Sequence, residues 1–262
     1  MEAIPLIQAA ALELTNECQN SCIMCWSQYP HTHPQRPKGY MKYDLFTRLV
    51  DELVNQSPNL KLQIALSYGG ESMLHPEYDR CLKYLQAHTR IKPMIFTNAI
   101  LLDKYKRLLK EEDVNASIHR QGFIESIRAI ESYVKYSKRY VTAHIVEGEF
   151  SQMELIMINR VLSKLSNVNI HPLITEDLKS IYKRPEPCTE PFKYIAVLWN
   201  GETLPCCHIL ASGTFTMGNV SEKSISEIWE GDAYKRLRAG DHKDTPCENC
   251  ELYSKRPGPL QR

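Results

Sequence analysis

The 262-residue sequence predicts an α/β fold: an open partial (β/α)6 barrel followed by a small cysteine-bearing module. Three observations carry this prediction. From about Ile7 to Leu173, short strand-like runs alternate with amphipathic helical stretches, the pattern of parallel strands joined by right-handed crossovers. Six such units suit an open barrel better than a closed eight-unit one. Beyond Cys188 the texture changes to short strands, turns and a second group of cysteines. The expected division is residues 1–173 for the barrel, 174–187 for a charged, proline-containing linker and 188–262 for the module.

The strands are expected at Ala10–Leu14, Leu62–Ser67, Pro93–Thr97, Val114–His119, Val141–Val146 and Val168–Leu173. Between the first two, Leu45, Phe46, Leu49, Val50 and Leu53 form one helical stripe. Tyr78, Cys81, Leu82 and Leu85 form the next, with Pro76 where a helix can start. Phe123, Ile127, Ile130 and Val134 make a third, and Ile158, Val161, Leu162 and Leu165 a fourth. The run Lys104–Lys110 reads as an exposed helix face. In the module, Tyr194–Trp199 and Thr203–Leu204 read as a hairpin turning at Asn200-Gly201, with short helices near Ile225–Glu230 and Tyr234–Arg238.

Strand alternation points to a site. Val114, Ala116 and Ile118 oppose Asn115, Ser117 and His119. Thr142 and His144 oppose Val141, Ala143 and Ile145; Asn169 and His171 oppose Val168 and Ile170. The apolar face should meet the helices, so the polar face should line a cavity. His119, His144, His171 and Glu147 stand at or near the strand ends and are the candidate proton acceptors or substrate anchors.

Composition narrows the function. Lysine plus arginine total 32 and aspartate plus glutamate 31, for a net charge of +1, which disfavours nucleic acid as a partner. No run approaches the ~18 apolar residues of a membrane span, and the start lacks a secretion signal. A cytoplasmic protein with no membrane partner is expected. Its nine cysteines, an odd number, argue against a disulfide framework and for soft-metal chemistry.

Cys18, Cys22 and Cys25 stand in C-x3-C-x2-C spacing directly after the first strand. Three thiolates on so short a loop can hold an iron–sulfur cubane with one iron left open. A structural zinc site would want a fourth ligand, which His31 or His33 could supply. The triad, its place after strand one and Tyr68-Gly69-Gly70-Glu71 after strand two together resemble the radical S-adenosylmethionine (radical SAM) family. The resemblance implies a [4Fe–4S] cluster on Cys18, Cys22 and Cys25 whose open iron chelates S-adenosylmethionine. It implies cofactor contacts from Met24, Gly69, Gly70, Glu71, Thr97, Asn98 and Ser117, with Glu71 accepting from the methionine ammonium. The residue before the third cysteine is often aromatic in this family; here it is Met24.

Cys188, Cys206, Cys247 and Cys250, with Trp199-Asn200-Gly201, Pro205-Cys206-Cys207, Met217-Gly218-Asn219-Val220 and Ser226-Glu227-Ile228-Trp229, resemble the family's auxiliary-cluster module. The larger SPASM version needs further cysteines, so the shorter twitch version is implied, with one auxiliary [4Fe–4S] cluster on those four thiolates. Cys207 is the alternative to Cys206, and a zinc ribbon the alternative to the cluster. Cys81 reads as core.

In length and in its pair of clusters the chain resembles the 2-deoxy-scyllo-inosamine dehydrogenases. That likeness implies an oxidoreductase abstracting hydrogen from an alcohol carbon of a polar small molecule. The auxiliary cluster would accept an electron, and a flavodoxin or ferredoxin would be the donor partner. Peptide maturation, redox-neutral epimerisation and a zinc-stabilised binding module are the competing expectations. Strand one begins almost at once, leaving little room for a preceding peptide-recognition domain.

Overall fold

The structure, a computed structural model, describes residues 4–22, 25, 36–173, 188–206, 215–248 and 250. Nine strands form one sheet in the order β6-β5-β4-β3-β2-β1-β7-β8-β9. They are β1 Ala9–Leu12, β2 Leu62–Ala65, β3 Ile91–Thr97, β4 Val114–Ile118, β5 Val141–Val146, β6 Val168–Leu173, β7 Tyr194–Val197, β8 Glu202–Leu204 and β9 Gly218–Asn219. The first six run parallel in sequence order. Helices α1 Tyr43–Gln56, α2 Tyr78–Gln86, α3 Leu102–Tyr105, α4 Phe123–Ser137 and α5 Gln152–Leu162 connect them. Two short helices, α6 Ile225–Trp229 and α7 Asp232–Arg238, follow the last strand.

The expected stripes are the ones buried. Phe46, Leu49, Val50 and Leu53 on α1 and Tyr78, Cys81, Leu82 and Leu85 on α2 face the core, as do Ile127, Ile130 and Val134 on α4. Their burial removes apolar side chains from water at ~25 cal/mol per Å2, the main force holding helices to sheet. Helix α5 starts at a Ser151/Glu154 capping box. It buries Ile158 and Leu162 but leaves Met153, Ile156 and Met157 exposed.

Several boundaries differ from the expected ones. β1 stops at Leu12 rather than Leu14, because the backbone then turns to bury Glu13 against Arg36. β2 stops at Ala65, β3 begins two residues early at Ile91, and β4 ends at Ile118. The Lys104–Lys110 run is not a helix face: α3 is a single turn ending at Tyr105, and turns follow it.

The C-terminal strands do not form a sheet of their own. β7 pairs in parallel with β1, in register from Ala9↔Tyr194 to Leu12↔Val197. β8 and β9 then add antiparallel. Gly201 turns the β7–β8 hairpin at φ +87°, where a Cβ would meet the Asn219 Oδ1 at 2.6 Å. Arg48 on α1 donates to the Val220 carbonyl, and the Glu52 carboxylate accepts from the Ile225 N–H. Trp229 is fully buried; its Nε1 donates to the Pro5 carbonyl at 2.6 Å, and the Arg238 guanidinium lies over its ring. Trp229→Ala should therefore cost ~3–5 kcal/mol, measured as a lowered urea midpoint.

One face of the parallel strands is concave and polar. Asn115 and Ser117 on β4 lie in register with Thr142 and His144 on β5, and these with Asn169 and His171 on β6. All six are half-buried or exposed, whereas Val114, Ala116, Ile118, Val141, Ala143 and Ile145 on the helix side are buried. Toward β1 and β7 the concave face turns small and apolar, with Ala11, Ala196, Leu198 and Leu204 packed together. Among the described residues, no helix is long and apolar enough to cross a membrane.

Candidate functional site

The loop from β1 to α1 carries the first three cysteines, and its two ends are clamped together. Arg36 donates to both oxygens of Glu13 at 2.7 and 2.9 Å, and Glu13 is fully buried. Asn16 donates from Nδ2 to the Pro37 carbonyl and accepts at Oδ1 from the Gly39 N–H. Thr15 donates to the Gly39 carbonyl and Lys38 to the Asn16 carbonyl. Cross-linking both ends lowers the entropic cost of closing the loop, so the cysteines are held on a fixed base.

Gly70 seats the following motif against that base. A Cβ on Gly70 would lie 2.5 Å from the Glu17 carbonyl oxygen and 2.7 Å from Asn16 backbone atoms, while the Glu71 N–H donates to the Glu17 carbonyl at 2.8 Å. The close approach that glycine allows here is thus to the backbone of the cysteine loop. Glu71 is 2% exposed. Its Oε2 accepts from the Thr97 hydroxyl at 2.9 Å and the Asn98 N–H at 2.8 Å, and its Oε1 from the Met73 N–H at 3.1 Å. Burial raises the Glu71 pKa against these lowering hydrogen bonds. Three of about four acceptor positions are filled, which leaves room for one further donor.

Cys18, Cys22 and Cys25 are half-buried and line an open cavity of about 340 Å3 together with Gly69, Gly70, Glu71, Thr97, Asn98, Ser117 and His119. The Cys18 sulfur accepts from the Asn20 N–H at 3.5 Å and the Asn98 amide at 3.8 Å. Burial, with Glu71 and Cys25 adding, still pushes the Cys18 thiol up. Cys22 is pushed up to about 12 by burial, then by Glu149 and the other two cysteines. Three thiolates and nearby carboxylates cannot share this pocket as bare anions. A cationic metal core would remove that conflict, and donors aimed at Cys18 are the outer contacts that thiolate clusters use. The residues present fit such a cluster.

Of the candidate proton acceptors, His119 alone among the described ones lines this cavity. Its Nδ1 lies 3.1 Å from Glu149 Oε1, and Glu149 Oε2 accepts from the Arg120 N–H at 2.9 Å. Glu149 had no signal in the sequence: it lies in the short turn Glu147–Glu149 after β5, where strand alternation ends. Phe96, 44% exposed, and Val146 are the apolar part of the lining that the sequence reading left out. His144 and His171 stand away from the cysteines on β5 and β6, their rings 5.7 Å apart. Burial, then the neighbouring His171, lowers the His144 pKa. The side chain of Glu147, and all of Met24, His31, His33 and Cys207, fall outside the described residues.

In the second group, Cys206 and Cys247 pack against the same apolar patch of Ala11, Ala196, Leu198 and Leu204. Cys188 and Cys250 are half-buried. Cys81 is buried on α2, as expected of core.

Residues 188–251 match the SPASM family model, an iron–sulfur cluster-binding domain. The chain is similar, at 21% identity over 92% of its length and 86% of the relative's, to the tungsten-containing aldehyde ferredoxin oxidoreductase cofactor-modifying protein of Pyrococcus furiosus. It is 23% identical to the S-adenosyl-L-methionine-dependent 2-deoxy-scyllo-inosamine dehydrogenase of Niallia circulans, covering 95% of this chain and 94% of that one. Its fold matches the crystal structure of BtrN in complex with AdoMet and 2-DOIA at a TM-score of 0.59 and 18% identity, over 95% of this chain and 92% of the other. Residues 188–251 are thus an iron–sulfur cluster-binding domain of SPASM type, the fold is that of an enzyme structure holding AdoMet, and the triad and Gly-Gly-Glu segment on one cavity are similar to those of radical SAM enzymes.

Proposed function

We propose that this enzyme oxidises an alcohol carbon of a polar small molecule by hydrogen-atom abstraction. The observation that carries the reading is the cavity itself, which sets His119, bonded to the Glu149 carboxylate, on the wall that also carries the three cysteines and Glu71. The relative acting on 2-deoxy-scyllo-inosamine, matched along almost its whole length, supports the same class of substrate.

Cys18, Cys22 and Cys25 would hold the nucleotide-binding cluster. Cys188, Cys206, Cys247 and Cys250 would hold an auxiliary one, within residues 188–262. With its nucleotide, the first cluster supplies a carbon-centred radical by one-electron cleavage of the sulfonium, and the protein supplies the rest. Glu71 has one acceptor position left for the ammonium. Asn98 and Ser117 present polar groups at the ends of β3 and β4, and Phe96 offers an apolar wall that keeps water from the reacting carbon.

Glu149 accepts from His119 Nδ1–H, so the tautomer with a free Nε2 is favoured toward the cavity. Once the carbon has lost its hydrogen atom, that nitrogen can take the hydroxyl proton, and the remaining electron would go to the auxiliary cluster, leaving a ketone. His144, His171, Thr142 and Asn169 extend the polar wall for the substrate's other hydroxyl or amino groups.

Anaerobic incubation with dithionite, S-adenosylmethionine and a panel of polyhydroxylated amines tests this directly. One oxidised product per 5′-deoxyadenosine is expected; an unchanged substrate oxidation level overturns it in favour of epimerisation. A precursor peptide consumed in place of the panel would assign the chain to peptide maturation instead. His119→Gln should lower product formation by ~10²–10⁴-fold while nucleotide cleavage persists, followed by chromatography of both products.

A further inference from the structure

Tyr68 joins the two halves of the chemistry. Among the described residues, it alone both lines the cavity of the first three cysteines and packs in the apolar patch that receives Cys206 and Cys247. Its hydroxyl donates to the Cys206 carbonyl at 3.0 Å, across 138 residues of sequence. On its other side the backbone is anchored: three residues on, the Glu71 N–H is bonded to the carbonyl of Glu17, the residue before Cys18. Cys206 itself lies two residues past Leu204, the end of β8.

We propose that Tyr68 is a positioning residue for the auxiliary cluster. Its hydroxyl fixes the Cys206 main chain to the segment that seats the first cluster, and its ring closes the wall between the two sites. The proposal rests on the assignment of Cys206 as a ligand made above. A ring in that wall keeps bulk water from the sulfurs on the cavity side, and a fixed ligand backbone holds the sulfurs near the apolar patch. Both bear on the potential of an iron–sulfur centre, which depends on solvent exposure and on hydrogen bonds to sulfur. The sequence reading placed Tyr68 only as the neighbour of a glycine pair; its bond to Cys206 needs the β1–β7 pairing, which joins β7 and β8 to the same sheet as β2, with β1 and β7 between β2 and β8.

The test uses the full chain with Cys18, Cys22 and Cys25 replaced by alanine, so that the auxiliary centre alone is observed. Iron content, the EPR spectrum and the midpoint potential are measured after anaerobic reconstitution, without substrate or nucleotide. In that background Tyr68→Phe should keep the iron but change the g-values and raise the midpoint potential as water reaches the sulfurs. Tyr68→Leu, which also opens the wall, should raise it further. Loss of the iron from Tyr68→Phe with an unchanged circular dichroism spectrum would support the same role. Unchanged spectra and potentials in both variants overturn the proposal, provided that Cys206→Ala loses the iron. If Cys206→Ala keeps its iron, the ligand assignment itself fails and the proposal falls with it.

Discussion

Replacing Cys18, Cys22 and Cys25 together by alanine should remove about four of about eight irons per reconstituted chain and abolish nucleotide cleavage. The apo fold should be little affected. The triad stands on a loop whose ends are fixed by Glu13–Arg36, Asn16 and Thr15, none of which the substitution touches. Burial pushes the Cys18 thiol up, and Cys22 is pushed up to about 12 by burial, then by Glu149 and the other two cysteines. Losing three half-buried side chains removes little packing. What disappears is the one arrangement in this pocket that a cationic cluster stabilises. Iron and sulfide analysis, with EPR of the reduced protein before and after S-adenosylmethionine, reads the result. The variant should lose the nucleotide-dependent change while keeping the auxiliary signal. Zinc in the reconstituted wild type, with no charge-transfer absorbance, would instead return the zinc-stabilised module.

How much of this was legible depends on whether the signal was local. The alternation of Val114, Ala116 and Ile118 with Asn115 and Ser117 is a property of one strand with helices on one side, and it gave the polar concave wall correctly. The stripes of α1, α2 and α4 were legible for the same reason. Glu71 shows the limit. Its place beside glycines suggested a group aimed at a ligand, but three of its acceptor positions serve Thr97, Asn98 and Met73. That role exists only because β2 and β3 pair and bring together ends 26 residues apart. Glu149 failed more completely, since residues after a strand no longer alternate and Glu147 looked equally apt. The parallel seating of β7 on β1 had no local signal either, because a crossover from residue 12 to residue 194 leaves no trace in either strand's own pattern.

The role of Glu71 as a joint makes Glu71→Gln the second substitution of large expected effect. The carboxylate receives donors on both oxygens, while glutamine offers one oxygen and one NH2 group. In either orientation the NH2 faces an N–H donor, from Met73 or from Asn98, inside a site that is 2% exposed. Leaving a buried donor unmatched costs ~1–3 kcal/mol, so a lowered urea midpoint of the apo chain is expected. The same change removes the charge proposed to meet the ammonium, and S-adenosylmethionine affinity should fall about tenfold or more, a loss of ~1.4 kcal/mol or greater. Charge and fold can be separated by pH. Burial raises the Glu71 pKa, so the stability gained from protonated Glu71 is fully present below the ordinary glutamate range and lost as pH rises through the raised value. A cation bound beside it favours the ionised form, so affinity in the wild type should rise with pH through the same interval and then level off. The glutamine variant should lack that rise, as calorimetric titrations across the interval would record. A variant with wild-type midpoint, affinity and pH profile would remove Glu71 from both roles.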